Sequence, residues 1–359
     1  MGNQILTPDI IAKESAMITE NNLIAGSLAY KAYSPEFQKK GDSITIRKPA
    51  SFIAKDFNDG TPISIQNATE EGVTLRLDKF KDVSFEVTSK ELSLDIAEFS
   101  NEFIQPAISA ITQQIDSDIL SASNEFPCFY ERGANPALGD FAQMGRILNN
   151  NKVPFADRYA VLNPDHYADY VAMEGIARID ASGSADGLRK ASMGDVMGFG
   201  TYLDQNMPKS NTSSASIGTA SGNIESNFFV VTGDISTLEK GVRFTVAGDT
   251  TVYAVVETDL LVKKIYVDKI IAVNSSSKAV TFMPSKDCSL FFHKNSIALV
   301  SAPLELPSGA NVATADFEGV TIRVVMGYDI NTKKTIISLD CLYGVAVINP
   351  MLGARLISA

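Results

Sequence analysis

The stretch LDIAEFSNEFIQPAISAITQQIDSDILSAS, residues 94–123, shapes the expected fold more than any other part of the chain. Its apolar residues recur every three or four positions, which is the period of one face of an α-helix. The stretch predicts one amphipathic helix that is about 45 Å long at about 1.5 Å per residue. Pro106 is the expected point of a kink. The residues that follow the period are Ile96, Phe99, Phe103, Ile104, Ile108, Ile111, Ile115, Ile119 and Leu120.

Three sequences before this helix alternate apolar and polar residues, and this period of two predicts half-buried strands. Residues 55–72, KDFNDGTPISIQNATEEG, lie between the first two strands and are polar and turn-rich. They fit an ordinary surface hairpin or a long loop that reaches a neighbouring molecule. Residues 1–41 predict a mobile, partly helical arm with little to bury by itself. The alternating apolar residues are Ile44, Ile46, Val73, Leu75, Leu77, Val83, Phe85 and Val87.

Residues beyond the helix predict a mixed α/β region that is interrupted by a small β domain. Residues 209–227, KSNTSSASIGTASGNIESN, form a Ser-rich linker, and dense strand sequence such as GVRFTVAG and TVYAVV follows. We expect a barrel of about six strands with its own core. The residues predicted by alternation to be buried in it are Val242, Phe244, Val246, Val252, Ala254, Val256, Ile265, Val267, Val280 and Phe282.

The segment LFFHKNSIALVSAPLELP, residues 290–307, predicts one buried strand that returns to the α/β region, with His293 as a partly buried contact at a strand end. Pro303 and Pro307 would stop further strand pairing. A hairpin formed by Val320–Tyr328 and Thr335–Ile348 is expected to end the chain. The residues expected to supply buried area in the returning strand are Phe291, Phe292, Ile297, Leu299 and Val300.

Composition excludes several function classes. Lys and Arg total 31 against 42 Asp and Glu, a net charge of -11, and no basic stripe is present, so phosphate-driven binding to nucleic acid is not expected. A container could still enclose DNA without gripping it. No apolar run is long enough to span a membrane, and the N-terminus lacks a secretory signal. Leu6 does not fit a myristoylation motif.

Candidate catalytic and metal-binding residues are few. His166 stands beside Asp165, but no Ser lies in a GxSxG elbow, so we expect His166 to cap or line the first turn of a helix that Pro164 and Asp165 begin. GFG at 198–200 lacks the spacing of a nucleotide-binding loop. Cys128, Cys288 and Cys341 are isolated, which is not the pattern of a zinc site or a disulfide framework. We therefore predict no enzyme, and no catalytic, cofactor-binding or metal-binding residue.

The order of these parts, together with five stretches of sequence, resembles the major capsid proteins of tailed phages, which have the Hong Kong 97 fold. More narrowly, it resembles the coat proteins of short-tailed Salmonella-type phages, which carry an inserted β-barrel domain. The stretches that carry the resemblance are VLNPDHYADY, GFGTYLDQNMP, LEKGVRFTVAG, LFFHKNSIALVSAPLELP and DCLYGVAVINPMLGARL. The order and spacing of the stretches are more specific than any one of them.

This resemblance implies an α+β fold with a division into seven segments. The segments are residues 1–41, the N-terminal arm; 42–90, the extended loop and flanking strands; 91–137, the spine helix and peripheral domain; 138–208, the first part of the axial domain; 209–287, the inserted β-barrel domain; 288–318, the second part of the axial domain; and 319–359, the C-terminal hairpin of the peripheral and axial region.

The implied function is self-assembly, as pentamers and hexamers, into an icosahedral shell around phage double-stranded DNA that is held without specific recognition. The implied partners are other copies of the chain, a scaffolding protein and a portal complex, with assembly of a procapsid in the host cytoplasm and a final place in the virion. Two alternatives stay open: an encapsulin-like nanocompartment, against which the inserted domain counts, and a soluble β-rich hydrolase or glycan-binding module.

Some proteins of this fold class join their subunits by an isopeptide bond between Lys and Asn. Lys55 and Asn349 superficially suit such a bond, but the inserted-domain group is not expected to use it. We predict no covalent cross-links.

Overall fold

The computed structural model describes residues 8–31, 43–47, 72–88, 100–177, 190–307, 311–317, 319–330 and 334–359. Within these ranges the α-helices are α1 (Pro8–Asn22), α2 (Ala25–Leu28), α3 (Gln105–Ser121), α4 (Gly139–Asn150), α5 (Pro164–Val171) and α6 (Glu174–Ala177). Strands are numbered along the chain and introduced with their sheets. The mixture of helices and mostly antiparallel sheets confirms the predicted α+β class.

The spine helix predicted from the apolar period is confirmed over residues 100–123. It begins as a π-helical segment, Ser100–Ile104, continues as α3 and ends in a 3-10 turn, Ala122–Glu125. Pro106 lies in the first turn of α3, where its missing N–H breaks no helical hydrogen bond. The change from π to α geometry therefore lies next to the predicted kink. Residues 94–99 lie outside the described ranges.

A five-stranded antiparallel sheet covers one face of α3. Its strands are β3 (Lys79–Thr88), β16 (Ile297–Ser301), β17 (Asn311–Phe317), β18 (Val320–Asp329) and β19 (Lys334–Val347). β19 is the organising strand because it pairs with β3, β16 and β18. The predicted C-terminal hairpin is confirmed by the register of β18 and β19, in which Ile322 faces Cys341 and Asp329 faces Lys334.

The N-terminal arm was expected to be mobile, and this expectation is wrong for residues 8–31. Ile11 is completely buried, and Leu23 and Leu28 are nearly so, in the core that α3 shares with the five-stranded sheet. Tyr30 adds backbone hydrogen bonds to β16: its N–H donates to Ile297 O over 2.9 Å, and its carbonyl accepts from Leu299 N over 3.0 Å. The arm is short of apolar residues, but tertiary packing covers those it has.

The extended-loop strands are confirmed as a two-stranded antiparallel sheet, β1 (Ser43–Arg47) and β2 (Gly72–Arg76). Ile44, Ile46 and Leu75 are buried against Ala298 and Val300 of β16. Of the third alternating run, Val87 is fully buried, whereas Val83 and Phe85 are half-buried. The polar connection at residues 48–71 lies outside the described ranges, so both interpretations of it stand as predictions.

A six-stranded mixed sheet forms the axial region. In spatial order its strands are β4 (Phe129–Glu131), β20 (Gly353–Ile357), β15 (Cys288–His293), β5 (Arg158–Leu162), β7 (Phe199–Leu203) and β6 (Asp195–Val196). Leu290 and Phe292 point into the spine core, whereas Phe291 points to α4, where it packs edge-on against Phe141. Both faces of this sheet are therefore covered.

The prediction of one strand through residues 290–307 is wrong. The segment forms β15 and β16, which belong to different sheets and are joined by a 3-10 turn, Lys294–Ser296. The turn is fixed by the Lys294 N–H, which donates to Asp157 O over 3.1 Å. Pairing ends at Ser301, before Pro303. The expected burial is confirmed for Phe291, Phe292, Ile297, Leu299 and Val300.

The insertion is a single seven-stranded antiparallel sheet. In spatial order its strands are β13 (Ser275–Lys278), β8 (Ile217–Gly222), β9 (Phe228–Gly233), β12 (Lys264–Val267), β11 (Tyr253–Asp259), β10 (Arg243–Val246) and β14 (Val280–Phe282). The two edge strands, β13 and β14, are separated along the chain only by Ala279. The sheet therefore curls into a nearly closed barrel with its own apolar core.

Alternation predicted the insertion core only in part. Val242, Phe244, Val246, Ile265 and Val267 are buried in the barrel core as predicted, whereas Val252, Val256, Val280 and Phe282 are only half-buried. The prediction for Ala254 is wrong, because Ala254 is buried outside the barrel core. In β11 the residues that face the barrel core are Tyr253 and Val255, the opposite parity from the predicted Val252, Ala254 and Val256. Ala254 points away from the barrel and packs with Phe129 and Ile357 of the axial sheet. β11 thus contributes side chains both to the barrel core and to the cluster that includes Phe129 and Ile357.

We predict that a fragment spanning Ser210–Ser285 folds cooperatively in isolation, because its barrel core is separate from the other cores. Amide dispersion and a sigmoidal denaturation curve would show this. Phe244→Ala should destabilise the fragment by about 3 kcal/mol because Phe244 is fully buried, whereas Leu261→Ala, at an exposed site, serves as the control. An aggregated or unfolded fragment would show that the strands need the axial sheet to form.

Candidate assembly surfaces and the insertion junction

His166 lines the first turn of α5, as one of the two predicted alternatives states, and Asn163 is the residue that caps the helix. The Asn163 Oδ1 accepts from the His166 N–H over 2.9 Å. The His166 ring is fully buried, with Nδ1 2.7 Å from Ser289 Oγ and Nε2 2.8 Å from Ser358 Oγ. Burial lowers its pKa to about 4. The neutral His166 ring, hydrogen-bonded to the buried Ser289, therefore joins α5 to β15 of the axial sheet.

His293 lies at the end of β15, as predicted, and is almost completely buried. Its Nδ1 accepts from the Asn295 N–H over 3.2 Å and so begins the turn that leads to β16. Burial lowers the pKa of His293. The ring therefore shapes the change from one sheet to the next.

The three cysteines are free thiols within the described structure. Burial raises the pKa of Cys288 to about 11 and that of Cys341 to about 12, so both are protonated at neutral pH. No group of three or more His, Cys, Asp or Glu among the described residues could hold a metal ion. Nor is any helix in the described ranges long and apolar enough to cross a membrane.

A fully buried arginine holds the insertion to the axial sheet. Arg243 of β10 donates through Nη1 to Glu131 of β4, and through Nη2 to Ser210 Oγ and to Pro284 O, each over 3.1 Å. Its guanidinium also lies 5.8 Å from the centre of the Phe129 ring. Burial lowers the pKa of Arg243, and the charge of Glu131 opposes this shift. The buried guanidinium is thus matched by one carboxylate, one hydroxyl and one carbonyl oxygen.

A second buried arginine approaches the same junction from the axial side. The Arg355 Nη2 donates to Gly241 O of the insertion over 2.6 Å, and burial lowers the pKa of Arg355 to about 10. Gly241 has a φ of +74°, and a Cβ there would lie 1.8 Å from Asn124 O at the end of the spine. The spine, the axial sheet and the insertion therefore meet within a few ångströms.

Sequence analysis missed this junction, although it carries a signal. Arg243 and Arg355 are the charged residues inside the apolar runs GVRFTV and GARLI. A charge in such a run needs a partner if both faces of the strand are buried. The predicted alternation of Val242, Phe244 and Val246 concerns one face of β10 only, and Arg243 lies on the other face, which the axial sheet covers.

Several apolar side chains remain exposed on the subunit. Leu260, Leu261 and Val262 form the tip of the β11–β12 hairpin, where Leu261 is 96% exposed. The Asp259 Oδ1 accepts from the N–H groups of Leu261 and Val262 over 3.0 and 3.3 Å and so holds the tip in shape. Contiguous exposed apolar groups mark surfaces of protein interaction. We call Leu260–Val262 the hairpin tip.

A second exposed apolar patch lies at the opposite end of the axial sheet from the insertion. Phe155 is 67% exposed and Met197 is 51% exposed, next to the β6–β7 edge. The insertion contacts the other edge, through Phe129 of β4. The hairpin tip and the Phe155–Met197 patch therefore lie on different parts of the chain, the insertion and the axial sheet.

We predict that Glu131→Gln lowers the free energy of unfolding of the full chain by about 2 kcal/mol, because the buried Arg243 guanidinium loses its counter-charge. Urea denaturation of the unassembled subunit measures the change. Asp287→Asn is the matched control, since its ion pair with Lys209, at 3.2 Å, is exposed, and it should cost under about 1 kcal/mol. Equal effects of the two substitutions would contradict the role given to the junction.

Comparison with family models finds one match. Residues 262–357 match the family model described as P22 coat protein, gene protein 5. This range runs from the hairpin tip through β15 and β16 to β20. No curated protein matches the chain.

Solved structures share the whole fold. A structure from Mycobacterium phage Che8 is 15% identical, with a TM-score of 0.54, covering 93% of this chain and 90% of that chain. The capsid structure of the cyanophage P-SCSP1u is 13% identical, with a TM-score of 0.53, covering 94% and 88%. These likenesses show the Hong Kong 97-type fold. The coat-protein match covers residues 262–357, so similarity to that family is found in this part of the chain.

Proposed function

We propose that copies of this chain assemble, as pentamers and hexamers, into a closed icosahedral shell that encloses phage double-stranded DNA. The observation that carries the proposal is the coat-protein match over residues 262–357 in a chain that has the capsid fold over nearly its whole length. The exposed apolar hairpin tip and the Phe155–Met197 patch support it, because a stable monomer gains nothing from such surfaces.

We further propose that the role of the chain is structural, without catalysis. Its two histidines are buried ties within the subunit, and its buried thiols are protonated at neutral pH. The function would therefore lie in surfaces that repeat many times in the shell.

Packaged DNA would be held without specific recognition. The net charge of -11 disfavours tight contacts with a polyanion. A shell of this charge would hold packaged DNA because the shell is closed, and not because its inner surface binds the DNA. A scaffolding protein during procapsid assembly and a portal complex at one vertex complete the proposal, with assembly in the host cytoplasm before the protein takes its place in the virion.

We also propose the segment boundaries given above as the working division of the subunit. The seven-stranded sheet, from Ile217 to Phe282, falls within the proposed insertion at 209–287. The described arm residues pack in the spine core. The arm is therefore a segment of the sequence and does not fold as an independent unit.

The full chain, expressed with the scaffolding protein of its phage, should sediment as large particles and appear as closed shells by electron microscopy. Expression without the scaffolding protein is the control, and we expect fewer or irregular particles. Nuclease-protected DNA and a tail vertex in mature particles are expected. Shells that contain only cargo enzymes would instead support the nanocompartment alternative, and a monodisperse monomer under all conditions would refute a shell protein.

Mature particles should also contain no covalent multimers. The Asn349 Oδ1 accepts from the Met351 N–H over 3.0 Å and begins the 3-10 turn Pro350–Leu352, so the side chain has a structural use. Lys55 lies outside the described residues. On a denaturing gel the capsid protein is expected at the mass of one chain, whereas a ladder of multimers that Asn349→Ala abolishes would contradict this.

A further inference from the structure

The N-terminal arm is attached to the spine helix by one buried carboxylate. Asp116 lies on the buried face of α3 and is 2% exposed. Its Oδ2 accepts from the Ile24 N–H over 2.9 Å, and its Oδ1 accepts from the Gly26 N–H over 2.8 Å. These amides lie where the arm turns from α1 into α2. Both oxygens of Asp116 are therefore engaged with the arm, at a place that water does not reach.

A second buried carboxylate acts on the first. Asp204 follows β7 in the axial region and is also 2% exposed. Its Oδ1 accepts from the Asn206 N–H over 2.8 Å and from Asn206 Nδ2 over 3.1 Å, whereas its Oδ2 is buried without a hydrogen-bond partner in the described structure. The negative charge of Asp204 disfavours ionisation of Asp116. Both carboxylates are buried, so water screens the charge of neither.

Positive groups near α3 are engaged elsewhere. Lys79 and Lys81 of β3 lie 3.1 and 3.8 Å from the carboxylate of Asp118, which also accepts from the Tyr343 hydroxyl over 2.6 Å. Lys13 of α1 is exposed. Two carboxylates on the packed strands have cationic partners of their own, Asp340 of β19 with Arg323 and Glu86 of β3 with Lys334. Asp116 therefore has backbone amides as partners and a like charge as its neighbour.

We propose that Asp116 and Asp204 form a proton-dependent latch for the N-terminal arm. While the pair holds one proton, the two carboxylates together carry one negative charge, and the arm is docked on the spine. Loss of that proton places two negative charges in a buried region, and opening the arm relieves their repulsion by admitting water. The latch belongs to the single subunit and does not depend on the proposed shell.

The sign of the pH dependence follows from linkage. Burial, followed by the charge of Asp204, raises the pKa of Asp116 to about 7, even though the arm amides favour ionisation. An exposed aspartic acid has a pKa of about 3.9. The docked arm therefore binds the proton more tightly than the open arm. Docking is strongest near pH 4 and weakens as the pH rises to about 7, by about tenfold per pH unit for one proton.

Hydrogen exchange of the full chain tests the latch. The readout is the protection of the peptide that contains the Ile24 and Gly26 amides, measured from pH 5 to pH 8.5 and normalised for the intrinsic exchange rate. We expect protection to fall by about tenfold per pH unit up to about pH 7 and then to level off. A peptide from β19 serves as the internal reference. Protection that is independent of pH, or that rises with pH, would overturn the proposal.

Two variants separate the latch from simple packing. Asp204→Asn removes the like charge but leaves both arm hydrogen bonds of Asp116 in place, so the pH at which protection levels off should move down. Asp118→Asn is the matched control on the same helix and should leave that pH unchanged. Asp116→Asn should abolish the pH dependence. If Asp116→Asn does not fold, Asp204→Asn still tests the proposal. Protection that levels off at the same pH in Asp204→Asn as in the unsubstituted chain would overturn it.

Discussion

Burial of one face of the spine helix is the interaction on which the other parts of the subunit depend. Ile108, Ile111, Ile115 and Ile119 point into a single core that also receives the arm, the five-stranded sheet and one face of the axial sheet. Full burial of such a side chain contributes roughly 1.5–3 kcal/mol relative to exposure. This face gives the three regions a common surface, although the arm also packs directly on β17 and β18.

Polar groups lie at the seams between these regions, where apolar packing alone leaves the relative orientation open. Arg243 and Arg355 join the insertion to the axial sheet, and Asp116 joins the arm to the spine. Each is almost completely buried, so an incorrect orientation would leave a buried polar group without a partner. The apolar cores supply most of the stability, and these polar contacts select one relative orientation of the regions.

Local periodicity predicted the positions of the helices and strands well. It predicted poorly which other parts of the chain pack against them. The spine helix, the β18–β19 hairpin and most of the barrel strands follow directly from apolar spacing. Three features depend on tertiary contacts that spacing does not encode: the arm packs where it was expected to be mobile, residues 290–307 divide between two sheets, and Ala254 faces a second core. Arg243 shows the same limit, since its pattern describes a surface strand whose outer face happens to be covered.

The most direct test of this account is native-state hydrogen exchange on the full chain with Ile111→Ala in the spine. Because Ile111 lies in the shared core, we expect the substitution to lower the protection of the arm, of α3 and of β19 by a common factor, while the amides of the insertion barrel change less. A loss of protection confined to α3, with the arm and β19 unchanged, would contradict the claim that the spine organises the subunit.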